Sequence, residues 1–171
     1  MLAFVAVFAF AVNLSGSRVA FGAKMGQTVQ AFLEAEAYPG PSLIIAYSHC
    51  IAHGYDMAFG LDQQKRAVDS GVWPVYRFDP RRIDAGEPPL VVDMPGGKIP
   101  VQDYMRNEAR FRMVERMDPE RFRDFARRSQ LSAERRIATY QHLATLRLPK
   151  PLQAAVEAGI AANAATPKTE E

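Results

Sequence analysis

The stretch from Pro41 to Met57, PSLIIAYSHCIAHGYDM, constrains the fold more than any other, because it delivers the chain's single cysteine directly from its most strand-like run. Ser42 to Tyr47 is apolar, bounded by Gly40-Pro41 before it and by polar Ser48-His49 after it. A short apolar run with these limits predicts a buried strand of a parallel sheet. Ligands of open α/β sheets sit beyond the carboxyl ends of the strands, which makes Ser48, His49, Cys50 and His53 the residues to watch. Read alone, a single cysteine behind an apolar strand is more often a small buried hydrophobe than a ligand.

Around this stretch the pattern is alternately strand and helix. Arg18 to Gly22 reads as the end of a strand. From Gly26, Val29, Phe32, Leu33 and Ala37 follow the spacing of one helical face, which predicts that they point at the core. Pro39-Gly40-Pro41 stops that helix, so residues 18 to 47 form a strand-helix-strand unit. Gly60 to Asp69 predicts a short helix ending near Gly71. In Val72 to Phe78, Pro74 cannot donate to a ladder, which predicts an edge strand or one that begins there. Residues 80–100, rich in proline and glycine, predict an irregular surface loop.

Val101 to Leu146 predicts helices with a restart at Asp118-Pro119, an N-cap followed by proline at the first helical position. Phe122, Phe125, Ala126, Ala133, Ile137, Tyr140 and Ala144 form one apolar stripe. The arginines between them read as a solvated face paired with Glu120, Asp124 and Glu134. The division expected is an apolar segment over 1–17, an α/β part over 18–100, a helical region over 101–147 and a flexible tail over 148–171.

Three segments together resemble the C-terminal part of the pyruvate:ferredoxin (flavodoxin) oxidoreductases: RVAFGAKMGQTVQAFLEAEAYPGPSLIIAYSHCIAHGYDM, GLDQQKRAVDSGVWPVYRFDPR and IPVQDYMRNEARFRMVERMDPER. The similarity runs from about Arg18 to Leu146. It implies an α/β fold that is a partial thiamine-diphosphate-binding domain, a parallel sheet with flanking helices followed by C-terminal helices. It also implies oxidative decarboxylation of a 2-oxo acid such as pyruvate, with coenzyme A accepting the acyl group and ferredoxin or flavodoxin the electrons. Cys50 stands where the family has a ligand of a four-iron, four-sulfur cluster, and this implied role reverses the bland reading of the cysteine.

Such a cluster takes four thiolates, and this chain has one cysteine, so the other three come from elsewhere. No GDG motif is present for the thiamine diphosphate and Mg2+ site, which in the family's order lies before Met1. The turn Pro95-Gly96-Gly97-Lys98 lacks the spacing of a phosphate loop. We assign no catalytic residue. Zinc held by His49, Cys50 and His53 lacks a nearby fourth ligand, and adjacent residues at a strand end point to opposite sides, which disfavours a Cys50–His49 nucleophile pair.

The 171 residues suffice for one domain but not for the enzyme the chain resembles. A formal charge of +2 with both signs interspersed argues against a nucleic-acid partner. One cysteine excludes an internal disulfide and fits a reducing cytoplasm. Met1 to Val12 is apolar throughout, but as a helix it spans only about 18 Å against a hydrocarbon layer of about 30 Å. No positive charge precedes Asn13, as a secretory signal would have it. Membrane attachment is therefore disfavoured, and a former interior segment is the expected origin. Three strands cannot bury both faces of a sheet and close its edges, so a partner chain is expected at the open edge. Two readings follow: a fragment or split subunit of the oxidoreductase, or a non-catalytic interaction module that kept the fold.

Overall fold

A computed structural model describes residues 14–93 and 97–147. The apolar N-terminus, Pro95-Gly96 of the glycine turn and the expected flexible tail lie outside the described residues. The chain has the expected α/β architecture, a four-stranded sheet with helices on its faces followed by C-terminal helices. Strand β1 (Ser15–Val19) leads through helix α1 (Met25–Glu36) to β2 (Ser42–Ala46), and the two strands pair in parallel from Ser15↔Ser42 to Val19↔Ala46. Two 3-10 turns, Ile51–His53 and Met57–Phe59, lead into α2 (Gly60–Asp69), the helix expected there.

Beyond this point the sheet departs from a parallel arrangement. β3 (Tyr76–Phe78) returns antiparallel against the other side of β1, and β4 (Leu90–Val92) runs antiparallel to β3, giving the order β2-β1-β3-β4. The physical reason is the connection. A parallel neighbour needs a long crossover such as α1 provides, whereas β3 and β4 are joined by a short excursion around α3 (Arg81–Asp84). Residues 80–100 thus hold a helical turn and a strand where only a loop was expected. β3 is an interior strand, and Pro74 lies ahead of it, where the missing N–H costs no ladder bond. β2, expected to be buried, is an edge strand with Leu43 substantially exposed.

Side chains alternate across the sheet, and the two faces differ in chemistry. Arg77 of β3 turns to the α1 side, where it forms a two-bond pair with Asp93 (3.1 and 2.9 Å) and a further ion pair with Glu34 of α1. On the opposite face the Arg18 guanidinium lies 3.6 Å from the centre of the Trp73 ring, and burial lowers its pKa. Tyr76 stacks on Tyr140 at 5.1 Å, and burial pushes the Tyr76 phenol to about 12.

The main apolar core lies between the helices. Val101, Tyr104 and Met105 of α4 (Val101–Arg106) meet Ala67 of α2 and Phe122, Ala126 and Ala133 of α6 (Pro119–Leu143). Between them runs α5 (Ala109–Met117). α6 starts at Asp118-Pro119 as its sequence predicts, with the Asp118 carboxylate accepting from Arg121 N–H at 2.9 Å. Of the expected stripe, Phe122, Ala126, Ala133 and Tyr140 are buried, while Phe125 is exposed with Arg121 over its ring.

α1 is the larger correction. Its buried residues are Gln27, Thr28 and Ala31, and the stripe of Val29, Phe32 and Leu33 faces outward. The Gln27 amide donates to Arg18 C=O, Arg81 donates to Ala37 C=O and the Lys24 ammonium donates to Asp93 C=O, so polar contacts decide which face meets the sheet. Among the described residues no helix is long and apolar enough to cross a membrane.

Candidate functional site

The parallel pair brings the carboxyl ends of β1 and β2 together, and Tyr47 N–H donates to Val19 C=O one residue past the strand. Tyr47 is then fixed from two sides. Its ring meets Trp73 edge-on at 5.3 Å, and its hydroxyl lies 3.2 Å from that of Tyr104 on α4. Burial raises the pKa of both phenols, so at neutral pH the pair is a neutral hydrogen bond. Trp73 in turn donates its indole N–H to Val19 C=O at 3.0 Å.

From this anchor the chain turns outward. The His49 ring lies so close to Gly60 that a Cβ there would fall 2.2 Å from His49 Nε2. Gln64 accepts from Gly22 N–H at 2.8 Å and holds its amide nitrogen 3.3 Å from His49 Nδ1. An amide nitrogen only donates, so in this contact Nδ1 is the acceptor. Cys50 follows in extended conformation, exposed and with a free thiol.

The far side of the loop is held just as firmly. After the 3-10 turn Ile51–His53, Gly54 adopts φ 71° and its carbonyl accepts from Ala109 N–H at 2.9 Å. A Cβ on Gly54 would come within 2.6 Å of Ala109 Cβ, so both the left-handed backbone and the close approach require glycine. His53 Nδ1 is 3.8 Å from the carboxylate of Glu108, which is fully buried. Glu108 accepts from Gln63 at 2.8 Å and from Arg110 at 2.5 Å, and the Gln63 carbonyl accepts from Asn107 at 2.6 Å. The Gly54–Ala109 bond ties the cysteine loop to the start of α5, while this network joins α2 to the α4–α5 junction and satisfies a carboxylate that would be costly to bury alone.

The arrangement therefore offers one accessible sulfur on a braced loop. Of the two histidines nearest to it, His49 is turned to Gln64, and His53 points its Nδ1 toward Glu108 without a hydrogen bond. Among the described residues no three His, Cys, Asp or Glu side chains come together as a metal-binding set. A cleft of about 600 Å3 between the Gly97–Gln102 segment and Arg123, Arg127 and Glu134 of α6 is not lined by the cysteine loop.

No family model matches the chain. Curated relatives do. A pyruvate-flavodoxin oxidoreductase of Rhodospirillum rubrum is 57% identical over 104 residues, which is 61% of this chain and 9% of that protein. A pyruvate-flavodoxin oxidoreductase of Nostoc sp. is 45% identical over 133 residues, 78% of this chain and 11% of that protein. This chain is homologous to one segment of the pyruvate-flavodoxin oxidoreductases. A pyruvate:ferredoxin oxidoreductase of Moorella thermoacetica is 36% identical over 126 residues, 74% of this chain and 11% of that protein. The chain thus spans about a tenth of the length of these relatives.

In this oxidoreductase segment, sequence reasoning singled out Cys50 and His49 but missed what braces them. Gly54 carried a local signal, a glycine closing a short polar turn. Tyr104 and Ala109 carried none, since they reach Tyr47 and Gly54 from positions far along the chain and only packing brings them together.

Proposed function

We propose that this chain is the C-terminal part of the thiamine-diphosphate-binding domain of a pyruvate:ferredoxin (flavodoxin) oxidoreductase, working in the cytoplasm, and that Cys50 supplies one of four thiolates to a four-iron, four-sulfur cluster. The observation that carries the reading is the free, exposed cysteine at the carboxyl end of the parallel pair, on a loop braced by Gln64, Tyr104 and Ala109, in a chain with these oxidoreductase relatives. A ligand thiol must be within reach of the metal and hold its direction. Exposure meets the first demand, and the bracing on both sides of Cys50 meets the second.

The residues present fit a quarter of such a site. With one cysteine in the chain, three thiolates come from the rest of the enzyme, together with the sites for thiamine diphosphate, Mg2+, pyruvate and coenzyme A. When bound, a cluster of this kind supplies one-electron transfer, here toward ferredoxin or flavodoxin. The chain's own part is to hold Cys50 outward and to fix Tyr47 and His49 behind it. We assign it no acid, base or nucleophile.

The test is anaerobic iron and sulfide analysis, with the ultraviolet-visible spectrum, of the chain coexpressed with a polypeptide carrying the remaining thiamine domain. A brown complex that loses its iron when Cys50 becomes alanine is the expected result. Iron content equal in the wild type and Cys50→Ala would remove Cys50 from the ligand set.

A further inference from the structure

Among the described residues nothing covers the apolar stripe of α1. Met25, Val29, Phe32 and Leu33 are each more than half exposed, recur at helical spacing and include no charge. A surface helix ordinarily turns such a stripe to its core. Here Gln27 and Thr28 take the core side instead. Glu34 reaches Arg77 on the β3 flank of the helix, so Phe32, two residues away and nearly half a turn round, lies on the opposite flank, toward β2.

β2 continues that surface. It ends the sheet among the described residues and is the more exposed partner of the parallel pair; Leu43, in register with Gly16 and so on the face away from α1, is substantially uncovered on the far side of the same edge. A free edge of this kind is a template for a further strand. At its carboxyl end the rim of the cysteine loop is apolar as well: Ile51 is 82% exposed, and Met57 and Phe59 are exposed.

We infer that the α1 stripe, the free edge of β2 and the apolar rim beside Cys50 form one docking surface for the remainder of the oxidoreductase polypeptide, which adds a strand to β2 and apolar side chains to α1. The occupant follows from length and stoichiometry. About nine-tenths of each relative lies outside the segment this chain matches. A second copy of this chain would bring only one further thiol to a site that, on the proposed reading of Cys50, needs three.

The experiment coexpresses the full 171-residue chain with the Rhodospirillum rubrum pyruvate-flavodoxin oxidoreductase deleted for its homologous segment, and isolates complexes through a tag on the chain. The wild-type chain is expected to retain the deleted enzyme. The double variant Val29→Glu, Leu33→Glu should retain at least tenfold less while keeping the circular dichroism and melting temperature of the wild type. Amides of Ser42–Ala46 should exchange at least tenfold more slowly in the complex. Equal retention by the double variant, no retention by the wild type, or a homodimer of the chain dispersed by the same double variant would each overturn the inference. The inference rests on the proposed function, but the two separate cleanly. A Cys50→Ala chain that is retained without iron upholds both, and one that is retained with its iron upholds docking while removing the ligand role.

Discussion

Helices α1 and α6 are attached to the same body by opposite means. α6 inserts Phe122, Ala126, Ala133 and Tyr140 into apolar surroundings and leaves most of its arginines in water, two of them paired along the helix with Asp124. α1 is held by Gln27 on Arg18 C=O, Glu34 with Arg77 and Arg81 on Ala37 C=O, and it leaves its apolar residues in water. One helix is fixed by area removed from water and the other by directed polar contacts. The difference teaches where this piece of protein ends as a physical unit. Each of Val29, Phe32 and Leu33 would contribute about 1.5–3 kcal/mol if fully buried, and the isolated chain leaves most of that unrealised.

Substitutions on the two helices sharpen the contrast most. Phe122→Ala should cost the isolated chain about 3–5 kcal/mol in urea unfolding, whereas Phe32→Ala should change stability by no more than about 0.5 kcal/mol. A cost above about 2 kcal/mol for Phe32→Ala would break the comparison, since it would mean that α1 is covered by some part of this chain. Next in size is Gly54→Ala, which forces a side chain into a left-handed position against Ala109 and should cost about 1–3 kcal/mol. A melting temperature equal to that of the wild type would show that α5 does not brace the cysteine loop.

The strand before the cysteine, the strand-helix-strand unit, α2 and the capped start of α6 were legible in the sequence because their signals are local: Gly40-Pro41, the apolar run, Asp118-Pro119. The direction of β3 and the existence of β4 were not, because three-residue strands carry almost no periodicity and their pairing is settled by the length of the link between them. The outward stripe of α1 was legible as a stripe but not as a direction. Spacing identifies an apolar face, and only the partner on hand decides which way it turns. Of the candidate site, Cys50 was visible as a residue type after a strand, while Glu108 and Gln63 are ordinary polar residues until packing joins them.

Two smaller effects probe how each helix is held at its ends. Asp118→Ala removes the side-chain cap of α6 and should lower stability by about 1 kcal/mol in thermal unfolding. α1, whose Lys24 makes no side-chain cap, has no equivalent to lose. The smallest effect concerns the clamp on the C-terminus of α1. Burial raises the pKa of Asp79, but hydrogen bonds from the Arg81 side chain and backbone outweigh it and leave the carboxyl below its ordinary value. A depressed folded-state pKa gives stability that is present above the unfolded value of about 3.9 and is lost as pH falls through the folded one. Because the site is largely solvent-screened, Asp79→Asn should cost less than about 1 kcal/mol at pH 7, with the deficit vanishing at the acid end of a pH–stability profile. A deficit that persists unchanged below that range would assign the role to the Asp79 hydrogen bonds alone.

The bond from Ala109 N–H to Gly54 C=O also sets an order of events during synthesis. β1, α1 and β2 have all their mutual contacts once Ala46 has been added, but the loop that carries Cys50 takes its final shape only after Glu108 and Ala109 have left the ribosome. At about 5–20 residues per second that is a delay on the order of seconds, during which the thiol is made but not yet aimed. On the role proposed for Cys50, a partner that reaches this cysteine early meets a finished strand pair with an unfinished loop, and the helical part of the chain acts as the timer.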